Sequence, residues 1–208
     1  MATVPVKQFD QYKVTNGGVQ WKATDGTTST GVKFGCTGEL SVETEIKTIV
    51  KTCEGDEVLS VDIPTKMTGT FTGHIPVDVF RKAFGIDTKG LKKGVYAYGT
   101  DSRPGNGVMT WDVFDIFEEI KKMLAFPNAS VSGGLTWSLQ NGNEEIVEIE
   151  MALTFLKDEN SKFYYEAFES EVEDADVKAK WHTAFTPELV AEAPPTQPDT
   201  LLAKGATK

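Results

Sequence analysis

Between Val32 and Ile75 the chain alternates apolar and polar residues almost without a break, and this stretch constrains the fold more than any other. From Val32 to Val50 the even positions carry Val32, Phe34, Cys36, Leu40, Val42, Ile46 and Val50, with Lys33, Glu39, Ser41, Glu43, Glu45 and Lys47 between them. After Glu54-Gly55-Asp56 the apolar set moves to the odd positions Leu59, Val61, Ile63, Met67, Phe71 and Ile75, between Asp62, Lys66, Thr68, Thr70, Thr72 and His74. A period of two places one set on each face of a strand. Two such runs joined by a Gly-containing turn predict an antiparallel hairpin with one dry face and one wet face.

The arms of this hairpin are long. At about 3.3 Å per residue each could reach roughly 55 Å, against a radius of gyration of roughly 17 Å for a compact chain of this size. The arms must therefore bend or project, and Pro64 and Gly69 mark candidate bends or bulges. A projecting hairpin leaves backbone edges open to pairing with another chain, so self-assembly is the expected use.

The remaining pattern is that of an all-β chain. Val4, Val6, Phe9 and Val14 suit a short strand or arm, with Asn16-Gly17-Gly18 as a turn and Asp25–Ser29 as a loop. A helix is expected over 76–84: Pro76 opens it, Gly85 lies just past its end, and Val77, Phe80 and Phe84 form its apolar face. Strands are expected at 95–98, 108–117 and 162–168. Residues 131–156 predict a second hairpin, turning at Asn141-Gly142, with Trp137 in its dry set. The acidic run 166–176 reads as solvated loop. Val177, Ala179, Trp181, Thr183 and Phe185 read as a last strand, with a helix as the alternative. The predicted fold class is mainly β: an antiparallel β-sandwich or partly closed barrel with one packed α-helix and a long projecting hairpin.

Charge and composition narrow the function classes. The formal net charge is -10, with 20 of the 31 acidic residues after position 100. Tight nucleic-acid binding draws on Lys and Arg to displace counterions, so an acidic chain is a poor candidate for it. No apolar run is long enough for a transmembrane helix, and MATVPVKQFDQYK lacks a signal peptide's apolar core, so a cytoplasmic product with free thiols at Cys36 and Cys53 and no membrane association is expected.

Motifs for chemistry are sparse. Phosphate-binding glycine loops, zinc-type Cys pairs, His-Glu-x-x-His and Gly-x-Ser-x-Gly are missing from the sequence. His74 and His182 are its two histidines, and His74 is expected at a polar strand end. Asn128-Ala129-Ser130 matches a glycosylation pattern without secretory context, and Asp158-x-Asn160 is a fragment of a calcium loop without its glycine or distant glutamate. Asp112 and Asp115, with Glu118 and Glu119 following, could serve glycoside hydrolysis but read more simply as a solvated strand end. Neither catalytic residues, a metal nor a cofactor is expected.

The segments HIPVDVFRKAFGID, KKGVYAYGTDSR and VSGGLTWSLQNGNEEIVEIEMALTFLKDENSKFYYEAF resemble the major tail protein of long-tailed bacteriophages, over roughly residues 1–185. That family is similar to the tube proteins of contractile injection systems. The resemblance implies a two-sheet sandwich with a flanking helix, in subunits that form hexameric rings stacked into a tube through which viral DNA passes without specific binding. It also implies tape-measure, tail-terminator and distal tail proteins as partners, location in the virion tail, and assembly in the host bacterial cytoplasm. On this reading residues 1–30 are an N-terminal arm and loop, 31–185 the tube domain and 186–208 a flexible proline-rich tail. The hairpins 32–75 and 131–156 would supply the lumen wall, with Asp62, Lys66, Thr68, Thr70, Thr72, Ser132, Thr136, Ser138, Glu148 and Glu150 facing the channel. Lys66 fits that wall least well, unless an acid pairs with it. A carbohydrate-binding sandwich with a platform of Trp111, Trp137, Tyr96 and Tyr98, and a hydrolase using Asp112 or Asp115, are the competing readings.

Overall fold

Nine residues from Lys13 to Trp21 form strand β1, and the way this strand is interrupted explains much of the architecture. Asn16-Gly17-Gly18 is a bulge within β1 and not a turn: Asn16 takes a left-handed φ of 54°, and pairing with the neighbouring strand skips from Thr15 to Gly18. Gly17 is required there, because a Cβ would stand 2.7 Å from the indole Nε1 of Trp111. The computed structural model describes residues 5–136, 141–142 and 146–192.

The other elements follow in chain order. They are β2 (Val32–Lys33), β3 (Cys36–Cys53), β4 (Asp56–His74), α1 (Val77–Phe84), β5 (Asn106–Phe114), β6 (Lys121–Val131), β7 (Ile149–Phe155), β8 (Tyr165–Phe168), α2 (Ala175–Lys180) and a 3₁₀ turn at Pro187–Val190. All eight strands belong to one antiparallel sheet of order β2-β1-β5-β6-β7-β4-β3, with β8 also on β6. The fold is thus mainly β, as the alternation predicts, and the sheet is not closed.

β6 is where the sheet divides. Its first half pairs with β8 over Lys122–Ala125, and its second half with β7 over Ala129–Val131. Between them the register against β5 shifts, from Met109↔Phe126 to Gly107↔Ala129. Pro127 occupies this irregularity, a position where a strand can do without an N–H donor. The sheet curls beyond this point until β3 approaches β1.

The concave interior holds the main core. Phe34, Phe71, Trp111, Phe126 and Phe155 lie in it essentially without solvent exposure. Ring centroids 5.1 Å apart for Phe34–Phe71, 5.8 Å for Trp111–Phe126 and 4.1 Å for Phe126–Phe155 make the aromatic contacts continuous. Helix α1 caps one end. Pro76 precedes it, and Gly85 ends it in the left-handed conformation at φ 67°, its N–H returning to the Arg81 and Lys82 carbonyls. Its buried face is Val79, Phe80, Ala83 and Phe84. Val77, expected on that face, is 60% exposed.

A second, smaller core covers the convex side of β5 and β6. Val108, Met123 and Ala125 meet Val177, Trp181 and Phe185 there. The segment read as a last strand is helix α2 and the turn after it. Residues 177, 181 and 185 satisfy a period of two and a period of 3.6 equally well, and the Asp174 side chain, accepting from the Asp176 N–H at 2.7 Å, decides for helix. The acidic run is likewise ordered in part: Glu166 pairs with Lys122 at 2.8 Å and Glu169 with Lys121 at 2.6 Å. Residues 95–98 form no strand and are held by one bridge, Asp87↔Ala97. Of the described part of the expected strand 131–140, only Val131 lies in a strand, as the last residue of β6; Trp137, Ser138, Leu139 and Gln140 lie outside the described residues.

Candidate functional site

The β3–β4 hairpin has two halves with different surroundings. In the half nearer the body, β4 pairs with β3 on one side and with β7 on the other, from Met67↔Phe155 to Gly73↔Ile149. Phe71, Met151, Leu153 and Phe155 point into the main core. The alternate positions form a polar face. Residues directly opposite in antiparallel strands share a side of the sheet, so Glu43 joins Thr68 and Thr154, Ser41 joins Thr70 and Ala152, and Glu39 joins Thr72 and Glu150. Ser130, opposite Thr154, extends this face onto β6, and Ser132 follows it with its N–H on the Ala152 carbonyl at 2.8 Å. Glu148 continues the Glu150 side of the strand, its carboxylate against the bulge at Gly38.

Beyond this half, the residues of β4 from Asp56 to Lys66 have β3 as their partner and, among the described residues, no second strand. They form an arm of about 35 Å. A bulge marks where it leaves: Glu45 pairs with Lys66 but Ile46 pairs with Pro64, which makes Thr65 the extra residue. One extra residue exchanges the faces of everything past it. Ile63, Val61 and Leu59 therefore cross to the side of Thr68 and Lys66, opposite Lys47, Ile49 and Lys51. Asp62 crosses the other way and bonds the Thr48 hydroxyl at 2.6 Å. The unbroken alternation expected from the sequence put Leu59, Val61 and Ile63 with Phe71, and Asp62 with Thr68; the Thr65 bulge separates both groupings.

The arm exposes its apolar residues on both sides. Ile46, Ile49, Val50, Val58, Leu59, Val61 and Ile63 are each between 42 and 57% exposed. Where the arm meets the body a cleft of about 520 Å³ opens, lined by Val14, Leu40, Val42, Met67, Leu124, Phe126 and Tyr164 among others. Burial, helped by the negative charge of Glu166, raises the Tyr164 phenol above its usual range.

Several expected site residues can now be placed. Lys66, Thr68, Thr70, Thr72, Ser132, Glu148 and Glu150 belong to the polar side of the sheet. Lys66 is paired with the carboxylate opposite it, Glu45, at 3.0 Å. Thr136 is exposed and lies in no strand, while Leu135 beside it packs on the main core. Ser138 lies outside the described residues. The alternation itself sets Ser41 and Glu43 on the wet side of β3; sequence reasoning missed Ser130, which joins the face only because β6 pairs with β7 and β7, through Thr154, with β4.

The carboxylates considered for hydrolysis do not form a solvated strand end. Asp115 is buried, and its Oδ1 accepts the Glu119 and Ile120 N–H groups at 2.9 Å each, closing the turn after β5. Asp112 is 4% exposed, accepts from Asn16 Nδ2 at 2.9 Å and lies 2.9 Å from His182 Nε2. His182 Nδ1 lies 2.9 Å from Thr110 Oγ1, itself buried. With Gln20, which donates to the Trp181 carbonyl at 3.3 Å and accepts from the Phe185 N–H at 2.8 Å, this network fastens the C-terminal segment to the sheet. Trp111 is wholly buried against Phe34 and cannot serve as a saccharide platform; Tyr96 and Tyr98 remain exposed. Among the described residues no cluster of His, Cys, Asp and Glu is arranged to hold a metal, and no helix is long and apolar enough to cross a membrane.

No family model matches the chain, and no curated protein matches it. Among solved structures the chain is similar to one from the PVC sheath–tube complex of an extracellular contractile injection system in its extended state. That match has a TM-score of 0.42 and 11% identity, and it covers 73% of this chain and 88% of that one. It is also similar to a chain of the anti-feeding prophage cap, the tube-terminating cap, with a TM-score of 0.42, 10% identity and coverage of 80% and 99%.

Proposed function

We propose that this chain is the tail-tube subunit of a long-tailed bacteriophage, a structural protein whose copies close into hexameric rings and stack into a tube. The observation that carries this reading is the arm, whose apolar side chains on both faces are covered by no described part of the chain. Large exposed apolar surface on a soluble domain marks a contact with another molecule, and a strand edge left open on β3 invites a further strand. Burial in a neighbouring copy removes both.

The polar side of β7-β4-β3 supplies the lumen wall in this reading. Threonine and serine hydroxyls give a wetted surface without strong anchors. Glu39, Glu43, Glu150 and Glu148 add negative potential, and Glu45 neutralises Lys66. A polyanion finds there little to release its counterions and slides past instead of binding. Tape-measure, terminator and distal tail proteins are the expected partners, and the virion tail, assembled in the host cytoplasm, the expected location.

The test replaces the apolar stripe of the arm. Electron microscopy of the purified 208-residue protein should show rings or tubes. The variant Leu59→Ser/Val61→Ser/Ile63→Ser should remain monomeric with an unchanged unfolding midpoint. A wild-type protein monomeric at the highest attainable concentration, or a triple variant that assembles as well as wild type, overturns the proposal.

A further inference from the structure

The acidic balance of the chain is reversed at one place. Between Val79 and Thr100 stand five of its 21 lysines and arginines and one of its 31 aspartates and glutamates. Arg81 and Lys82 lie in the last turn of α1, where the helix dipole favours cations. Lys89, Lys92 and Lys93 are exposed on the loop that follows, between Asp87 and Ala97, whose backbones bond each other at 3.0 and 3.3 Å. The return of this loop brings Tyr96 beside the helix, with the Arg81 guanidinium 3.5 Å from the centre of its ring. That guanidinium makes no hydrogen bond or ion pair with any described residue. The stack on Tyr96 therefore fixes its plane and leaves its N–H edge free.

Two clefts meet at Arg81, Ile86 and Tyr96. The smaller, about 440 Å³, is apolar and aromatic: it is lined by Val77, Phe80, Leu135 and Ile149 and by Tyr96 and Tyr98, which are 42 and 47% exposed. The larger, about 670 Å³, is polar, with Lys82, Asp87 and Asp101 in its lining. We propose that the joint cleft binds an anionic glycan, a chain of sugar rings bearing carboxylate or phosphate groups. A sugar ring has an apolar C–H face and a rim of hydroxyls, and a tyrosine ring flanked by polar groups complements both. Hydroxyls donate and accept, so they can use Asp87 and Asp101 as acceptors and Lys82 as a donor. A nucleic-acid backbone, which offers acceptors alone, meets repulsion from the same carboxylates. The charge of the glycan falls to the open fork of Arg81, whose planar donors match a carboxylate or a phosphate, and to the lysine loop. The rest of the surface, acidic in balance, repels such a polymer and steers it to this patch. Ile149 lies on the core side of β7, so the cleft opens away from the face that carries Thr72 and Glu150, and a glycan held there leaves that face clear.

Calorimetric titration of the full chain tests the site, with oligogalacturonate and a phosphomannan oligosaccharide as probes. One or both should bind. Tyr96→Ala should weaken that binding about tenfold, as loss of a central aromatic contact does. Lys89→Gln/Lys92→Gln/Lys93→Gln, which leaves the cleft itself unaltered, should weaken it several-fold and flatten its dependence on salt. Tyr12→Ala, which removes an exposed tyrosine outside both clefts, should change nothing. Failure of both probes to bind, affinity unchanged in the Tyr96 or the lysine variant, or equal affinity for neutral galactan or for oligothymidylate overturns the proposal. Electron microscopy of the same preparations reads assembly separately, so loss of the glycan site and loss of the tube reading are told apart.

Discussion

The two halves of the β3–β4 hairpin are written in nearly the same residue alphabet and meet opposite fates. Phe71 and Met67 alternate with threonines and face a core built by β7 and β1. Val61 and Leu59 alternate with Asp62 and Ser60 and face solvent at 44 and 53% exposure. Alternation is a local property that prepares a face for burial, whereas burial itself needs a second layer. In the near half the same chain provides that layer. In the far half no described residue of the chain supplies it, and the apolar residues even change sides at Thr65. The contrast separates residues that hold the subunit together from residues available to hold subunits to each other.

The largest effect expected from this contrast is on stability. Phe71→Ala removes a fully buried ring and should cost about 3–5 kcal/mol in urea unfolding, whereas Val61→Ala should stay within about 0.5 kcal/mol. Equal costs would erase the distinction between the halves. Deleting Thr65 comes next. The pairing of β4 with β7 should survive, seen as unchanged amide protection in Ile149–Phe155, while Leu59, Val61 and Ile63 return to the side of Phe71. Assembly should then fail with the body intact; tubes of normal appearance would show that the face of the arm does not matter.

The smallest effect concerns the body alone. Tyr165 is held in its neutral form, its pKa pushed up to about 12, first by burial and then by its 2.6 Å hydrogen bond to Asp158. A raised folded-state pKa contributes stability that is complete below the ordinary value of 10.0 and is lost as pH climbs through about 12. Tyr165→Phe should flatten that alkaline decline and remove one late-ionising tyrosine from an absorbance titration. The arm has no tyrosine between Ile46 and Ile63, so assembly defects in this variant would mean that the two regions are coupled.

How far the sequence reveals this depends on whether a signal is local. Pro76 and Gly85 delimit α1 because helix ends are set by their own backbone groups. The hairpin is legible because its period is strict. Bulges are not: Thr65 looks like any polar strand residue, and only the pairing Glu45↔Lys66 beside Ile46↔Pro64 exposes it. β6 was hidden by Pro127 and Asn128, which speak for a loop until the irregularity opposite Val108 accommodates them. Asp112 and His182 are 70 residues apart, and nothing near either one announces the other. The polar face was largely legible from the alternation of β3 and β4, whereas Ser130 joins it only through the pairing of β6 with β7.

The pairing of β4 with β7 also sets a schedule. β4 ends at His74 and β7 begins at Ile149, so a ribosome adding about 5–20 residues per second releases the arm roughly 4 to 15 s before the strand that completes its near half. During that interval the hairpin exists without its body. Only when β5 to β7 have been made does β4 gain its second neighbour and the core around Phe71 close.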